Sequence, residues 1–184
     1  MQASNIIEIA TIGFLGIHRF ENRSAIRGAI LVTDVNTKPL EFRVTAPIRP
    51  QTFQEMIYGE ILEEHVSVEL IGMPLLDAVQ NKPDLIIVRD PLFLKLNLQQ
   101  SVPTVLLLKE DEPLIGKGLS TNVLTSESSN YSTVKIFVSN KFESNLKEIL
   151  EKLQLIFTSR DLMEPFNRLE NACEDVHKRK VGDS

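Results

Sequence analysis

The sequence predicts an α/β domain built on a mixed sheet covered by helices on both faces, and three features predict it. The stretch Lys82-Pro83-Asp84-Leu85-Ile86-Ile87-Val88-Arg89-Asp90-Pro91 is a short run apolar at every position, with charged residues at each end. A strand without a polar face belongs at the centre of a sheet. Three strand-like segments joined by short turns open the chain, which is the signature of antiparallel neighbours. Further apolar runs then alternate with helical segments, which is the signature of parallel strands with crossovers.

The opening strand is expected within residues 6–19, where Gly13 and Gly16 mark a bulge or a close backbone approach. Glu21-Asn22-Arg23-Ser24 supplies a turn, and strands follow at 29–34 and 40–46 around a Val35–Pro39 hairpin loop. In the third strand Leu40, Phe42 and Val44 alternate with Glu41, Arg43 and Thr45, as befits a strand with one wet face near a sheet edge.

Pro47 and Pro50 end this section, and Thr52-Phe53-Gln54-Glu55 has the spacing of a capping box, with Thr52 as N-cap. Phe53, Ile57, Ile61 and Leu62 make an apolar stripe on the resulting helix, with Glu60, Glu63 and Glu64 toward water. Residues 65–72 fit both periods, and Pro74 starts a short helix over Leu75, Leu76 and Val79. The central strand covers 84–89, Asp90 caps a short helix with Pro91 at its first position, and Thr104–Leu108 is a further buried strand. Residues 110–131 read as a long loop with a small hairpin around Asn122-Val123-Leu124, and 134–138 as the last strand.

Two helices close the chain. Leu146, Ile149, Leu150, Leu153 and Ile156 share one face of the first. A break follows near Thr158-Ser159 and Pro165, with Ser159 or Asp161 as cap. Leu162, Phe166, Leu169, Cys173 and Val176 then form a seam at spacings of four, three, four and three. Residues 1–140 are expected to form the core and 141–184 to pack on it or on a partner, as one domain of 184 residues.

Composition narrows function by exclusion. A net charge of −5 argues against wholesale wrapping of nucleic acid. Residues 1–50, however, carry six Lys and Arg against four Asp and Glu, and residues 51–90 two against eight. A single cysteine excludes an internal disulfide, no Cys/His cluster has zinc spacing, and no apolar run approaches membrane-spanning length. The N-terminus lacks the basic region of a signal peptide, so the expected location is cytoplasmic, with no membrane partner.

The element order, β-β-β-α-β-α-β-loop-β-α-α, is similar to that of the ribonuclease H-like fold. The succession of hairpin, helix, Lys82-Pro83-Asp84 and apolar strand resembles endonuclease V over residues 6–109. A Rossmann-like or flavodoxin-like sheet is the alternative, against which stand the opening hairpin and the lack of a Gly-x-Gly-x-x-Gly turn. The resemblance implies a nuclease that holds Mg or Mn on several carboxylates, one of them from the first strand. The centre of that strand has no acid. Glu8 lies at its beginning, Asp34 ends the second strand, Glu41 is in the third, and Asp90 ends the central strand and is the candidate metal ligand.

Arg19, Arg27, Arg43 and Arg49, with His18 and Arg23, are candidates for phosphate contact. His65 and His177 lack metal-spaced partners, and Cys173 lies on the apolar seam. Gly116-Lys117-Gly118-Leu119-Ser120-Thr121 lacks the spacing of a phosphate-binding P-loop, and no serine sits in a nucleophile elbow. No catalytic set is complete.

The first expectation is therefore a non-catalytic α/β protein-interaction or accessory subunit of a complex, one concerned with nucleic-acid processing. It needs no cofactor and uses the C-terminal helices with their 162–176 seam, the acidic 55–69 region or the long loop on another protein or on itself. The second is a divalent-metal-dependent, or degenerate, ribonuclease H-like nuclease. The third is a small-ligand or nucleotide sensor at the carboxyl ends of strands 84–89, 104–108 and 134–138.

Overall fold

Seven strands form one mixed sheet in the order β3-β2-β1-β4-β5-β7-β6. The computed structural model describes residues 7–114, 119–126 and 130–182. β1 (Thr11–Phe20), β2 (Ala25–Asp34) and β3 (Pro39–Val44) make an antiparallel meander. β4 (Leu85–Val88) and β5 (Thr104–Lys109) extend it in parallel from β1. β7 (Val134–Ser139) returns antiparallel to β5, and β6 (Leu119–Leu124) lies outside it at the edge. The mixed sheet with an antiparallel opening is the expected fold class, and β4 is its middle strand.

All four β4 residues are fully buried. Burial of each such side chain contributes roughly 1.5–3 kcal/mol relative to exposure, so an uninterrupted apolar strand has no stable place except the centre. Alternation sends Leu85 and Ile87 to one face, where they meet Ile12, Phe14 and Leu31 under α4 (Leu146–Phe157) and α5 (Glu164–Gly182). Ile86 and Val88 point to the other face, with Leu15, Ile30 and Val32, under the segments 66–78 and 91–98.

Lys82-Pro83-Asp84 is a structural junction. Lys82 Nζ donates to the carbonyls of Leu76 and Asp77, the free end of α3 (Met73–Ala78). Pro83 lies against Gly13, where an added Cβ would stand 3.2 Å from the ring. Asp84 Oδ2 accepts from the Ala10 and Thr11 N–H groups at 2.9 Å, fixing the start of β1 beside the start of β4.

The helical stretch after β3 departs from expectation. α1 (Thr52–Tyr58) starts from Gln51, whose extended backbone makes it the N-cap, and Gln54 Oε1 accepts from the Gln51 N–H at 2.9 Å. Thr52 is already helical and does not cap. The stripe of Phe53, Ile57 and Ile61 is exposed, not buried. After α2 (Leu62–His65) the ambiguous stretch is a π-helix, Val66–Gly72, leading directly into α3. Its Ile71 meets Gly28 of β2 so closely that a Cβ there would lie 2.0 Å from Ile71 Cγ2.

After β4, Asp90 caps the 3₁₀ helix Pro91–Leu98 as expected, its Oδ1 accepting from the Leu92 N–H at 2.9 Å. Asn97 ties that helix to β5 by two hydrogen bonds with the backbone of Thr104. β6 replaces much of the expected loop. Only Leu124 of its residues is buried, so its sequence carries little apolar signal.

Candidate functional site at the carboxyl edge of the central strands

Chain order reverses between β1 and β4. From β1 the sheet grows through β2 and β3 on one side, and through β4 and β5 on the other. In open α/β sheets such a switch point leaves a crevice outside the carboxyl ends of the strands, where no crossover covers it. Pairing of β1 with β4 stops at Leu15 and Val88. β1 continues with β2 to Phe20, and α5 lies along this extension. The notch left beyond Val88 is a crevice of 530 Å³, whose walls include Gly16, His18, Arg89, Asp90, Phe166 and Glu170.

On the α5 face Gly16 is level with Arg89, one step beyond the last paired residues. Gly16 is crowded: a Cβ would come within 2.9 Å of Leu169 Cδ2 and 3.2 Å of His18 Nε2, so a side chain there would need both neighbours to shift. The His18 ring therefore occupies the space beside Gly16. Its Nε2 is buried without a hydrogen-bond partner among the described residues. Burial lowers its pKa below the usual value, against the raising influence of Glu170 and Glu174.

Arg89 is aimed by one acid. Its Nη2 donates to both Glu112 carboxylate oxygens, at 2.5 and 2.7 Å, and Glu112 Oε2 also accepts from the Lys109 N–H at 2.8 Å. Burial acts upward on the Glu112 carboxyl, but the Lys109 N–H and the Arg89 guanidinium outweigh it, so its pKa falls below the ordinary value. The Arg89 Nε is buried with no partner among the described residues. Two of the residues that line the crevice thus each carry a buried nitrogen without a partner among the described residues.

The expected arginine patch does not assemble. Arg27 is 1% exposed and donates to His177 Nδ1 and the Thr45 carbonyl, so it is closed to phosphate. Arg43 pairs with Glu41 and Arg49 with Glu21. Arg19 does line the crevice, 3.6 Å from Glu63. The seam is turned inward: Leu162, Leu169 and Cys173 are buried in the chain's own core, and Phe166 meets Phe14 edge-on at 5.5 Å. Val176 is half-buried beside them. Burial pushes the Cys173 thiol up to about 11, although Arg27 acts against it, so it is a packing residue. His65 stacks on Tyr58 and pairs with Glu69. Residues 116–118 of the glycine-containing loop lie outside the described residues.

The donor set does not fit a divalent metal. Asp34 pairs in register with Thr11 and accepts from the Asn36 and Lys38 N–H groups, at the opposite end of the sheet from Asp90. Glu8 precedes β1. Glu41 is taken up by the backbone of Gln80 and Asn81. At the carboxyl edge the two level positions hold a glycine and a cation, neither of which offers a carboxylate. Among the described residues no three His, Cys, Asp or Glu converge on one point.

Beside the end of β5 a second crevice, of 680 Å³, is lined by Lys109, Glu110, Asp111, Tyr131 and Asp161. Three acids against one lysine repel a nucleotide's phosphates, which disfavours the sensor expectation.

No family model and no curated protein matches the sequence. Solved structures do match the fold. Endonuclease V from Streptomyces avermitilis superposes with a TM-score of 0.58 at 13% identity, covering 96% of this chain and 85% of that one. Endonuclease V from Bacillus subtilis gives 0.58 at 12% identity, covering 96% and 84%. Endonuclease V from Ciona intestinalis, in complex with a DNA containing an inosine followed by a ribo-adenosine, gives 0.51 at 10% identity, covering 94% and 87%. The fold is ribonuclease H-like, as the order of elements predicts. The expected non-catalytic interaction subunit gives way. The chain shares the fold of these nucleases over almost its whole length, and the seam on which that expectation rested is packed against its own sheet.

Proposed function

We propose that this chain is a ribonuclease H-like nuclease of the degenerate kind, which takes nucleic-acid strands into the crevice between β1 and β4. The observation that carries this reading is the position of the crevice. It opens at the switch point of a sheet shared with endonuclease V, and the residues that line it include the cations Arg19 and Arg89. The DNA complex of the Ciona protein supports nucleic acid as the ligand class for this architecture. The reading is of a degenerate nuclease because Gly16 and Arg89 stand where adjacent strand ends would have to offer carboxylates. Mg or Mn is therefore assigned no ligands here, and no step is routed through either.

The test uses the full chain with fluorescent single- and double-stranded DNA and RNA, reading binding by anisotropy and cleavage on denaturing gels. The expected result is binding of a strand with no cleavage above background on adding Mg²⁺ or Mn²⁺. Absence of binding to every nucleic acid would overturn the proposal, and Mn²⁺-stimulated cleavage would overturn its degenerate part.

A further inference from the structure

Arg89 follows directly on the last paired residue of β4 and lines the crevice, with its Nη2 held by Glu112. Resting on the reading just given, we infer that the crevice binds a phosphodiester group of the strand directly, with the Arg89 guanidinium as its counter-charge, and that this binding needs no divalent ion. Glu112 takes both its hydrogen bonds from Nη2 and leaves the Nε unmatched. The Arg89 side chain is nonetheless one-third exposed, and charge-assisted bonds between a guanidinium and a phosphate oxygen are about twice as strong as neutral ones.

The neighbouring charges define how the site discriminates. Arg19 lines the crevice on the cationic side. Asp90 and Glu170 line it on the anionic side, but Asp90 is turned to its cap bond with Leu92. Glu170, on the exposed surface of α5, is the acid that opposes a phosphate. A bound cation would draw on Glu170, whereas a phosphodiester is repelled by it, so one substitution separates the two occupants by the sign of its effect.

The experiment measures anisotropy of a fluorescent single-stranded oligonucleotide with the full chain, in EDTA and in Mg²⁺ at matched ionic strength. Affinity is expected to agree within about twofold between the two conditions, because the counter-charge is a side chain. Glu170→Gln is expected to tighten binding several-fold in EDTA by removing a like charge. The double variant Arg89→Met/Glu112→Gln, which leaves no orphaned carboxylate, is expected to weaken it roughly tenfold. Circular dichroism checks that both variants are folded. Dependence of binding on Mg²⁺, weaker binding by Glu170→Gln, or wild-type affinity in the double variant would each overturn the inference while leaving nucleic-acid binding intact. A mononucleotide that binds as tightly as the strand would overturn the assignment of the phosphodiester to a strand. Failure of every oligonucleotide to bind under any condition would remove the functional reading itself, and the inference with it.

Discussion

The Nε of Arg27 donates to Nδ1 of His177 at 2.9 Å, joining β2 to α5 across 150 residues of sequence. Since Nδ1 accepts, the ring is held with its proton on Nε2, which stands 3.2 Å from Glu21 Oε1. The ring also stacks on Phe20 at 4.1 Å. This group of contacts pins the end of α5 to the β1–β2 extension. His177→Ala leaves the Arg27 guanidinium buried and short of a partner, at an expected cost of about 3 kcal/mol. The double variant Arg27→Met/His177→Ala is expected to be more stable than His177→Ala alone, because the buried charge goes with its partner. Urea denaturation of the two variants checks the order.

Gly28 tests the packing of the π-helix. A Cβ at this position would lie 2.0 Å from Ile71 Cγ2, inside a face with no free volume, so Gly28→Ala is expected to destabilise by about 1–3 kcal/mol. Combining it with Ile71→Ala removes the colliding methyl. The double variant is then expected to lose less than the sum of the two single losses, as read by urea midpoints.

Glu41 sets an acid limit on stability. The Asn81 N–H, the Arg43 guanidinium and the Gln80 N–H hold its carboxyl down at about 2, below its ordinary 4.5, and burial opposes them. A depressed carboxyl stabilises the fold fully above the unfolded value. As pH falls from 4.5 toward 2 the unfolded chain takes up the proton first, and this contribution is lost. Thermal melting across pH 2–6 is expected to give a flatter acid limb for Glu41→Gln than for the wild type, with the gap between them widest at the upper end.

Asp90 separates a cap from a ligand. Its Oδ1 accepts from the Leu92 N–H, and an asparagine oxygen does the same work. Asp90→Asn is expected to leave the urea midpoint nearly unchanged, and Asp90→Ala to cost about 1 kcal/mol. A metal ligand in this position would instead make both variants shed a Mn²⁺-dependent rise in melting temperature. The donor geometry predicts that the wild type has no such rise to lose.

The elements legible in the sequence are those whose own residues dictate their surroundings. The β4 stretch is apolar throughout and had to be central. The Asp90-Pro91 pair had to begin a helix, because one residue supplies the acceptor and the other needs no N–H. β6 is legible only in part, as the small hairpin around Asn122-Val123-Leu124, since an edge strand with one buried residue is specified by its neighbour β7 and not by its own composition. The α1 stripe has helical period without burial, so periodicity alone announced a face that nothing covers. Of the crevice residues, Asp90 was identified from its place after a strand. His18 and Arg19 stand out as candidates for phosphate contact and Gly16 as a bulge or a close approach, while Arg89 shows only as a strand-end charge.

By itself the sequence determined a mixed α/β sheet with β4 in its middle and a cap behind it, because local hydrophobic pattern and capping chemistry act within a few residues. Only the tertiary structure decided which side chains share a site. The parallel register of β1 with β4 brings Gly16 level with Arg89, and α5 closes over them. It also put Arg27 out of reach of solvent and turned the 162–176 seam inward. Those outcomes depend on strand order and on contacts between distant segments, for which neighbouring residues carry no periodic signal.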